Sequence, residues 1–444
     1  MKFDQTKSAE ITARMRDVVP GAVMSNWRKS AIYQPVFIDR GEGARLIDVD
    51  GNDYIDFSLS FGPAILGHSN QRLIEAMTEQ MQRLYTNEPT ELQYEAACKI
   101  QEHVASADMV RFANTGTEAN LNILRVVRAF TGRNFFVRFN GQYNGSTDNF
   151  IGGVVNDPAF PVPERGVRDG DFLSEMGDTE GRGDHGFSDS FMIEWNDLDA
   201  LESLFRAHGD KIAAVVMEPV MINFSGCNPE PGYLEGVRKL CDDYGVLLIF
   251  DEVLTGFRIG LKCAQGHYGV TPDMTTFAKA LGGGFPVSAF CGKQEIMDLI
   301  AETRVMGGGT YNGHPVAMAA VKTTIEELEK DDGAAFDTIN RLGNKLRDGL
   351  HGISRDVGSN LLLQGFPGAW TILFSNKEKI INHEDSLEEP WGLAKTARFG
   401  TLLKERGVIT LMRFCTSTAH TDADVDETLN RAEDALRELE KESF

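Results

Sequence analysis

Residues 277–286 read Phe-Ala-Lys-Ala-Leu-Gly-Gly-Gly-Phe-Pro, so a single lysine, Lys279, stands between apolar residues and three consecutive glycines. Burial removes hydration from an ammonium group, so the pKa of a buried lysine falls and its free amine becomes available. A free amine attacks aldehydes and forms a Schiff base. The stretch makes Lys279 a candidate nucleophile, and the alternative is a lysine that extends its charge from a loop into solvent.

An aspartate precedes this lysine at the end of an apolar run. Asp251 follows Val-Leu-Leu-Ile-Phe at residues 246–250, and a carboxylate there is costly unless a cation or a hydrogen-bond donor compensates it. The N–H group of a pyridinium ring is such a donor. Lysine and aspartate together are the pair that enzymes using pyridoxal 5′-phosphate (PLP) need. The alternative interpretation of Asp251 is the N-cap of a helix.

The middle of the chain alternates short apolar runs with amphipathic segments. This pattern predicts an α/β fold with a mostly parallel central sheet and helices on both faces. Ligands of such sheets bind outside the carboxyl ends of the strands, where Asp251 lies. The candidate strands are residues 109–112, 135–139, 212–217, 246–250 and 287–291, and the clearest candidate helices are 118–130 and 234–244.

The two ends of the chain predict a second, smaller α+β domain. Residues 45–57 alternate around an Asp-Gly turn signal and predict a β-hairpin. From about residue 325 the helices are longer, and residues 422–440 predict a closing helix with a capping box of Thr421 and Asp424. The expected segments are 1–65, which contributes to the small domain and the active site, 66–324, the large cofactor-binding domain, and 325–444, the small domain.

Two further turns follow predicted strands. Thr115-Gly116-Thr117 opens a helix, where backbone N–H groups and the helix dipole favour a phosphate. Tyr143 lies between glycines after residues 135–139 and could stack on a flat ring. Each also has an ordinary structural explanation, namely a capping turn and an aromatic residue packed at the domain edge.

Polar residues after other strands extend this candidate site. Glu218 and Asn223 follow residues 212–217, and the Asn223 amide could bond to a phenolic oxygen. Val253 could press on the ring face opposite Tyr143. Thr310 adds a hydroxyl donor in a glycine-rich loop that could bind an anion. Any one of these could be a strand-exit turn, but together they predict one site at the edge of one sheet.

Composition limits the partners of the chain. Its 444 residues include 44 Lys and Arg against 66 Asp and Glu, and the net charge of −22 disfavours nucleic acid and anionic membranes. The six cysteines form no CxxC pair and the nine histidines no HExxH motif, so we expect reduced thiols and no metal site. Neither a signal peptide nor a long apolar run is visible, and a cytoplasmic location is expected.

Taken in order, these motifs resemble the class III (ω-type) aminotransferases of PLP fold type I, closest to the glutamate-1-semialdehyde 2,1-aminomutase branch. The resemblance implies PLP as cofactor and a homodimer whose active sites lie at the interface. The matching segments cover nearly the whole chain: 44–51, 114–119, 131–133, 251–258, 278–286 and 417–421.

The resemblance also implies roles for individual residues. Lys279 would carry PLP as a Schiff base and move the proton between the substrate Cα and the cofactor. Asp251 would hold the pyridine nitrogen and Asn223 the ring oxygen. The other implied contacts are Tyr143 and Val253 on the two ring faces, Gly116 and Thr117 at the phosphate, and Thr310 at the phosphate of the partner subunit.

Several positions depart from the aminomutase pattern. Arg28, in the segment that begins at Ser25, matches an arginine that grips the substrate carboxylate, as bidentate guanidinium pairing allows. Phe61 and Asn144 replace a tryptophan and a histidine, and Arg413 stands where an acidic residue is expected. Residues 156–190 are acidic and glycine-rich and predict a long surface loop that differs from the family and could act as a lid.

These departures favour transamination over the intramolecular reaction. We expect amino transfer between a carboxylate-bearing donor, such as a β- or other non-α amino acid, and an oxo acid or aldehyde. Arg28 or Arg413 would grip the carboxylate, with Ser25 and Phe61 beside the substrate. The alternatives are aminomutase action, decarboxylation or racemisation with the same cofactor, and a non-catalytic relative.

Overall fold

The computed structural model describes residues 3–25, 28, 36–151, 189–223 and 225–444. Most of the predicted loop at 156–190 lies outside these residues, and only Asp189 and Ser190 of it are described. Within this part of the chain, no helix is both long and apolar enough to cross a membrane.

The N-terminal part of the chain forms one helix and a small sheet. The predicted hairpin at 45–57 is present as two antiparallel strands, and a further antiparallel strand precedes it. The Asp48 carboxylate stabilises the turn by accepting hydrogen bonds from the backbone N–H groups of Asp50 and Asn52. The elements are α1 (Thr6–Arg16), β1 (Ile38–Glu42), β2 (Arg45–Asp48) and β3 (Asp53–Asp56).

A seven-stranded sheet forms the centre of the molecule. Its strands are β4 (Met109–Ala113), β5 (Phe135–Phe139), β6 (Ser190–Ile193), β7 (Ile212–Met217), β8 (Leu247–Asp251), β9 (Met274–Phe277) and β10 (Ser288–Gly292). The spatial order is β4-β10-β9-β8-β7-β5-β6, in which β10 is antiparallel to both neighbours and the other pairs are parallel. The predicted mostly parallel sheet is therefore confirmed.

Helices cover both faces of this sheet. Those that precede, connect or directly follow its strands are α2 (Gln71–Arg83), α3 (Glu91–His103), α4 (Gly116–Thr131), α5 (Leu198–His208), α6 (Tyr233–Tyr244), α7 (Cys263–Tyr268) and α8 (Gln294–Ala301). Successive residues of a strand point to opposite faces. Val215 of β7 packs in a core with α5 and α6, whereas Val216 packs in a core with α4 and α8.

The C-terminal part of the chain builds a second core. Its elements are α9 (Pro315–Val357), which is interrupted at Lys330–Gly333, β11 (Leu361–Phe366), β12 (Ala369–Phe374), α10 (His383–Leu387), α11 (Pro390–Glu405), β13 (Val408–Ile409), β14 (Arg413–Cys415) and α12 (Asp422–Leu439). β11, β12 and β14 form an antiparallel sheet, and β13 pairs in parallel with β3. Ile55 and Phe57 pack in this core, and the predicted capping box at Thr421 is present.

The sequence predicts five strands of the central sheet to within one residue at each end. β6 and β9 are absent from those predictions. β8 extends one residue further than predicted, so that Asp251 is its last residue.

Candidate active site

β8 and β9 lie side by side and bring Asp251 and Lys279 to one edge of the sheet. Asp251 pairs with Thr276 of β9, and Lys279 follows that strand as the first residue of a short 3₁₀ turn. The φ angle of Lys279 is 46°, in the left-handed region that is unfavourable for a residue with a side chain. Such strained positions cluster at active sites. The two predicted residues thus lie at the carboxyl ends of neighbouring parallel strands.

The amine of Lys279 is enclosed by protein atoms, although the residue as a whole retains some exposure. Burial, followed by the charge of the Arg413 guanidinium, lowers the pKa of Lys279 to about 8, and the carboxylates of Glu218 and Asp251 act in the opposite direction. A base whose pKa lies near neutrality can both take up and return a proton at physiological pH.

Asp251 is buried and held by three donors. Its Oδ2 accepts hydrogen bonds from Asn120 Nδ2 and Asn144 Nδ2, each at 2.8 Å. Its Oδ1 accepts the backbone N–H of Val253 at 3.0 Å. Charge-assisted bonds of this kind compensate the burial of a carboxylate and fix its orientation.

The N-terminus of α4 lies at the same edge, directly after β4. Thr115 is its N-cap, and Thr115 Oγ1 accepts the N–H of Glu118 at 3.1 Å. The first N–H groups of a helix have no acceptor within the helix, so those of Gly116 and Thr117 are available to an anion. A Cβ at Gly116 would lie 2.9 Å from a methyl group of Val253, so a glycine allows this close approach.

A buried chain of hydrogen bonds follows β7. Glu218 Oε1 accepts the backbone N–H of Tyr143 at 3.2 Å and Asn223 Nδ2 at 2.8 Å. Asn223 Oδ1 in turn faces the Arg413 guanidinium at 3.4 and 3.5 Å. Glu218 Oε2 is buried without a hydrogen-bond partner among the described residues. Burial, followed by the charge of Asp251, raises the pKa of Glu218 to about 7.

Ser25, Arg28 and Phe61 form a second group. The backbone N–H of Arg28 donates to the Ser25 carbonyl at 2.9 Å, and its guanidinium carbon lies 4.8 Å from the centre of the Phe61 ring, a cation–π contact. Arg28 also lines a cavity of about 370 Å³ together with Ser60 and His68.

Thr310 is exposed on the loop before α9. Its carbonyl accepts a hydrogen bond from the Asn87 amide, and Asn312 Oδ1 on the same loop accepts Asn114 Nδ2 at 2.7 Å. The loop therefore lies next to the turn that opens α4. A role for Thr310 at the phosphate of a partner subunit stays a prediction.

Away from this site, the described residues contain one group with the spacing of a metal site, formed by Glu102, His103 and Glu329. Lys99 Nζ lies 2.8 Å from carboxylate oxygens of both glutamates. An ammonium group already pairs with both carboxylates, so this cluster carries no conclusion about a metal.

A family model for class III aminotransferases matches residues 26–436. The chain belongs to the class III aminotransferases. A glutamate-1-semialdehyde 2,1-aminomutase 2 of Exiguobacterium sp. is 36% identical over 458 residues, covering 100% of this chain and 99% of the relative. An omega-transaminase from Sphaerobacter thermophilus superposes with a TM-score of 0.88 at 30% identity, over 98% of both chains. A β-phenylalanine aminotransferase from Variovorax paradoxus gives 0.80 at 27% identity, over 98% of this chain and 93% of that one.

As a class III aminotransferase, the chain is an enzyme of the PLP-dependent transaminase kind with the fold of PLP fold type I, and PLP is its cofactor. The described residues fit this group. The enclosed Lys279 amine suits an aldehyde, the buried Asp251 carboxylate suits a pyridinium N–H, and the N-terminus of α4 suits a phosphate. These assignments to individual residues remain proposals.

The sequence did not identify Asn120 and Asn144 as the residues that hold the Asp251 carboxylate of this class III enzyme. Asn120 lies in the first turns of α4, and Asn144 follows Tyr143. Their positions could have identified them, because both are amides that follow strands of the sheet, one near the start of a helix and one in a turn.

Proposed function

We propose that this class III enzyme transfers an amino group from a carboxylate-bearing amino donor to an oxo acid or aldehyde, with a β- or other non-α amino acid as the favoured donor. The observation that carries the proposal is the buried Arg413 guanidinium beside Lys279. It is close enough to lower the pKa of that lysine.

Arg413 has the properties of a carboxylate anchor. Its guanidinium faces an amide oxygen, that of Asn223, at long hydrogen-bond distances. In the described part of the chain no carboxylate pairs with it directly, and a buried unpaired guanidinium is costly. A substrate carboxylate would supply the missing partner through two parallel hydrogen bonds. Burial lowers the pKa of Arg413 because it disfavours the charged guanidinium, and a paired anion would offset this cost.

The other residues of the site would each have a separate role at the cofactor. Lys279 would hold PLP through its ε-amine, and when displaced by the amino donor it would take the proton from the donor carbon that bears the amine, which is Cβ in a β-amino acid. PLP supplies an electron sink for the charge that this proton transfer leaves behind. Asp251 would keep the ring nitrogen protonated, because two amides and a backbone N–H hold its carboxylate in place. Tyr143 and Val253 would contact the two faces of the ring.

The relatives support both the proposal and one alternative. The solved transaminases named above share the fold over nearly their whole length. The relatives named glutamate-1-semialdehyde 2,1-aminomutase favour intramolecular transfer instead. Arg413 beside the Lys279 amine, with the Asn223 amide as its partner, fits a carboxylate-bearing substrate in either reaction. The departures from the aminomutase pattern at Phe61, Asn144 and Arg413 favour transfer between two substrates.

A donor comparison tests the proposal. The amines β-aminobutanoate and sec-butylamine share a four-carbon skeleton and differ in a carboxylate against a methyl group at one end. We expect the wild-type enzyme to prefer β-aminobutanoate, with turnover that depends on an added oxo acid. Arg413→Gln should raise the Michaelis constant (KM) for β-aminobutanoate at least about tenfold and leave that for sec-butylamine nearly unchanged.

Arg347→Gln is the matched control, because Arg347 lies over the Trp370 ring in the C-terminal core. This variant should keep the preference of the wild type for β-aminobutanoate over sec-butylamine. Equal use of the two amines by the wild-type enzyme would refute the proposal. Conversion of glutamate 1-semialdehyde without any oxo acid would establish the aminomutase alternative.

We also propose the segment boundaries 1–65, 66–324 and 325–444 as domain limits, and a homodimer with shared active sites. A cytoplasmic location stays a prediction from the sequence.

A further inference from the structure

Four consecutive residues between β3 and α2 adopt a left-handed backbone conformation. The φ angles of Leu59, Ser60, Phe61 and Gly62 are 47°, 59°, 73° and 104°. Residues with a side chain visit this region as isolated positions, because Cβ approaches the following carbonyl oxygen. A run that includes three such residues needs strong support from its surroundings, and strain of this kind accumulates at functional sites.

Asp56 supports the start of this left-handed turn. Its Oδ1 accepts the backbone N–H groups of Ser58 and Leu59 at 2.8 and 3.2 Å, and its Oδ2 bonds to His68 Nε2 at 2.7 Å. Leu59 is fully buried, whereas Ser60 is exposed. The turn is therefore anchored at its first residues and open to solvent at its centre.

Arg258 supports the end of the turn. Its Nη2 donates to the carbonyl of Gly62. Its Nη1 donates to the carbonyls of Gly368 and Thr416, at 3.2 and 3.0 Å. One guanidinium thus binds the left-handed turn to the β11–β12 connection and to the residue that follows β14.

The environment of Arg258 is unusual for an arginine. The residue is 1% exposed, and its partners among the described residues are backbone carbonyls, with no carboxylate in ion-pair contact. A buried cation without a counterion is costly. The guanidinium instead has a geometric role, because a rigid fork of donors can hold three carbonyls in fixed relative positions where an ammonium cannot.

We propose that Arg258 is a positioning residue for substrate carboxylate recognition. On one side it holds the turn that presents Phe61 under the Arg28 guanidinium. On the other side it holds Thr416, three positions after Arg413. The two candidate carboxylate anchors therefore have their relative placement set by a single buried guanidinium. This inference rests on the proposed preference for carboxylate-bearing donors.

The test compares kcat and KM for β-aminobutanoate and sec-butylamine in the holoenzyme. Arg258→Lys keeps the charge but loses the fork, and it should raise the KM for β-aminobutanoate at least about tenfold with little change in kcat. Both parameters for sec-butylamine should change little. The dissociation constant of butanoate, measured by calorimetry, should rise in parallel.

A second variant tests the same turn without changing a buried residue. Ser60→Val places a β-branched residue at an exposed left-handed position and strains the same turn without opening a cavity, so it should weaken carboxylate recognition as Arg258→Lys does. Ser60→Gly removes the same hydroxyl without adding strain, so a loss of carboxylate recognition as large as in Ser60→Val would assign the effect to the hydroxyl and contradict the proposal.

The matched control for Arg258 is Arg133→Lys. Arg133 also donates to three backbone carbonyls, those of Ile212, Tyr244 and Gly245, but they lie at the opposite edge of the sheet. The Arg133→Lys variant should have a lower free energy of unfolding and unchanged KM values for both amines. If Arg258→Lys and Ser60→Val raise the KM values for both amines equally, or raise neither, Arg258 has no positioning role. If the wild-type enzyme already lacks a carboxylate preference, the proposed function fails first, and this inference with it.

Discussion

Glu218 is a buried carboxyl group whose charge state depends on its surroundings. Burial and then the Asp251 charge raise its pKa from 4.5 to about 7. Between these values the folded chain holds a proton at Glu218 that the unfolded chain releases. Since the folded state binds more protons, the contribution of Glu218 to stability falls as pH rises through this window and levels off above about pH 7.

Glu218→Gln should remove this dependence in the cofactor-free protein. Glutamine keeps an acceptor for Tyr143 and Asn223 but cannot ionise. The free energy of unfolding of the variant, relative to wild type, should therefore increase by up to about 3 kcal/mol between about pH 4.5 and about pH 8. Urea unfolding at the two pH values measures it, and a constant difference between the two proteins would show that Glu218 is already ionised in the fold.

At this scale the sequence predicts the residues with distinctive chemistry but not those that support them. Lys279 and Asp251 stand out because a charged group in an apolar stretch requires an explanation. Asn120 and Asn144 do not, because a single amide near a turn is common. Their bonds to Asp251 connect positions 131 and 107 residues apart, and such partners become visible only when the sheet is assembled.

At the scale of elements, the close contact between α4 and the segment after β8 is possible because Gly116 has no side chain. A Cβ at Gly116 would lie 2.9 Å from Val253 Cγ2 and 3.2 Å from Cγ1. Gly116→Ala should therefore destabilise the protein by about 1–3 kcal/mol. The double variant with Val253→Ala should recover most of the loss attributable to Gly116, which a double-mutant cycle from urea unfolding would quantify.

Gly260→Ala is the control for that cycle, because nothing lies within 4 Å of a Cβ there, and its effect should stay within about 0.5 kcal/mol. Additive costs at Gly116 and Val253 would mean that the two elements can move apart.

Strands with apolar runs are predictable, whereas their order is not. β7 and β8 are almost entirely buried and read as apolar in the sequence. β9 is Met-Thr-Thr-Phe, whose two threonines obscure the pattern. Its backbone pairs with β8 and β10, and cores on the two faces of the sheet bury Met274 and Phe277. The insertion of β10 between β4 and β9 depends on long-range pairing, which no local pattern records.

For the whole molecule, exposed apolar side chains lie beside the loop that carries Thr310. Tyr85, Tyr94, Met306 and Tyr311 are 70%, 70%, 80% and 65% exposed. Hydrogen bonds from Asn87 and Gln93 join their two segments. Large exposed apolar patches favour contact with another protein surface. The family resemblance predicts a second copy of the chain at this contact, with Thr310 at the partner's phosphate site.

Mixed dimers would show whether Thr310 acts across that contact. The Lys279→Ala chain lacks the amine, and the Thr310→Asp chain places a carboxylate against a phosphate, so each homodimer should be inactive or bind PLP weakly. In a heterodimer purified through two tags, one site would combine native Lys279 with native Thr310 of the other chain. It should regain about half of wild-type turnover, as a heterodimer of Lys279→Ala with wild type does. If Thr310 serves its own chain, each site carries one defect and activity is not restored.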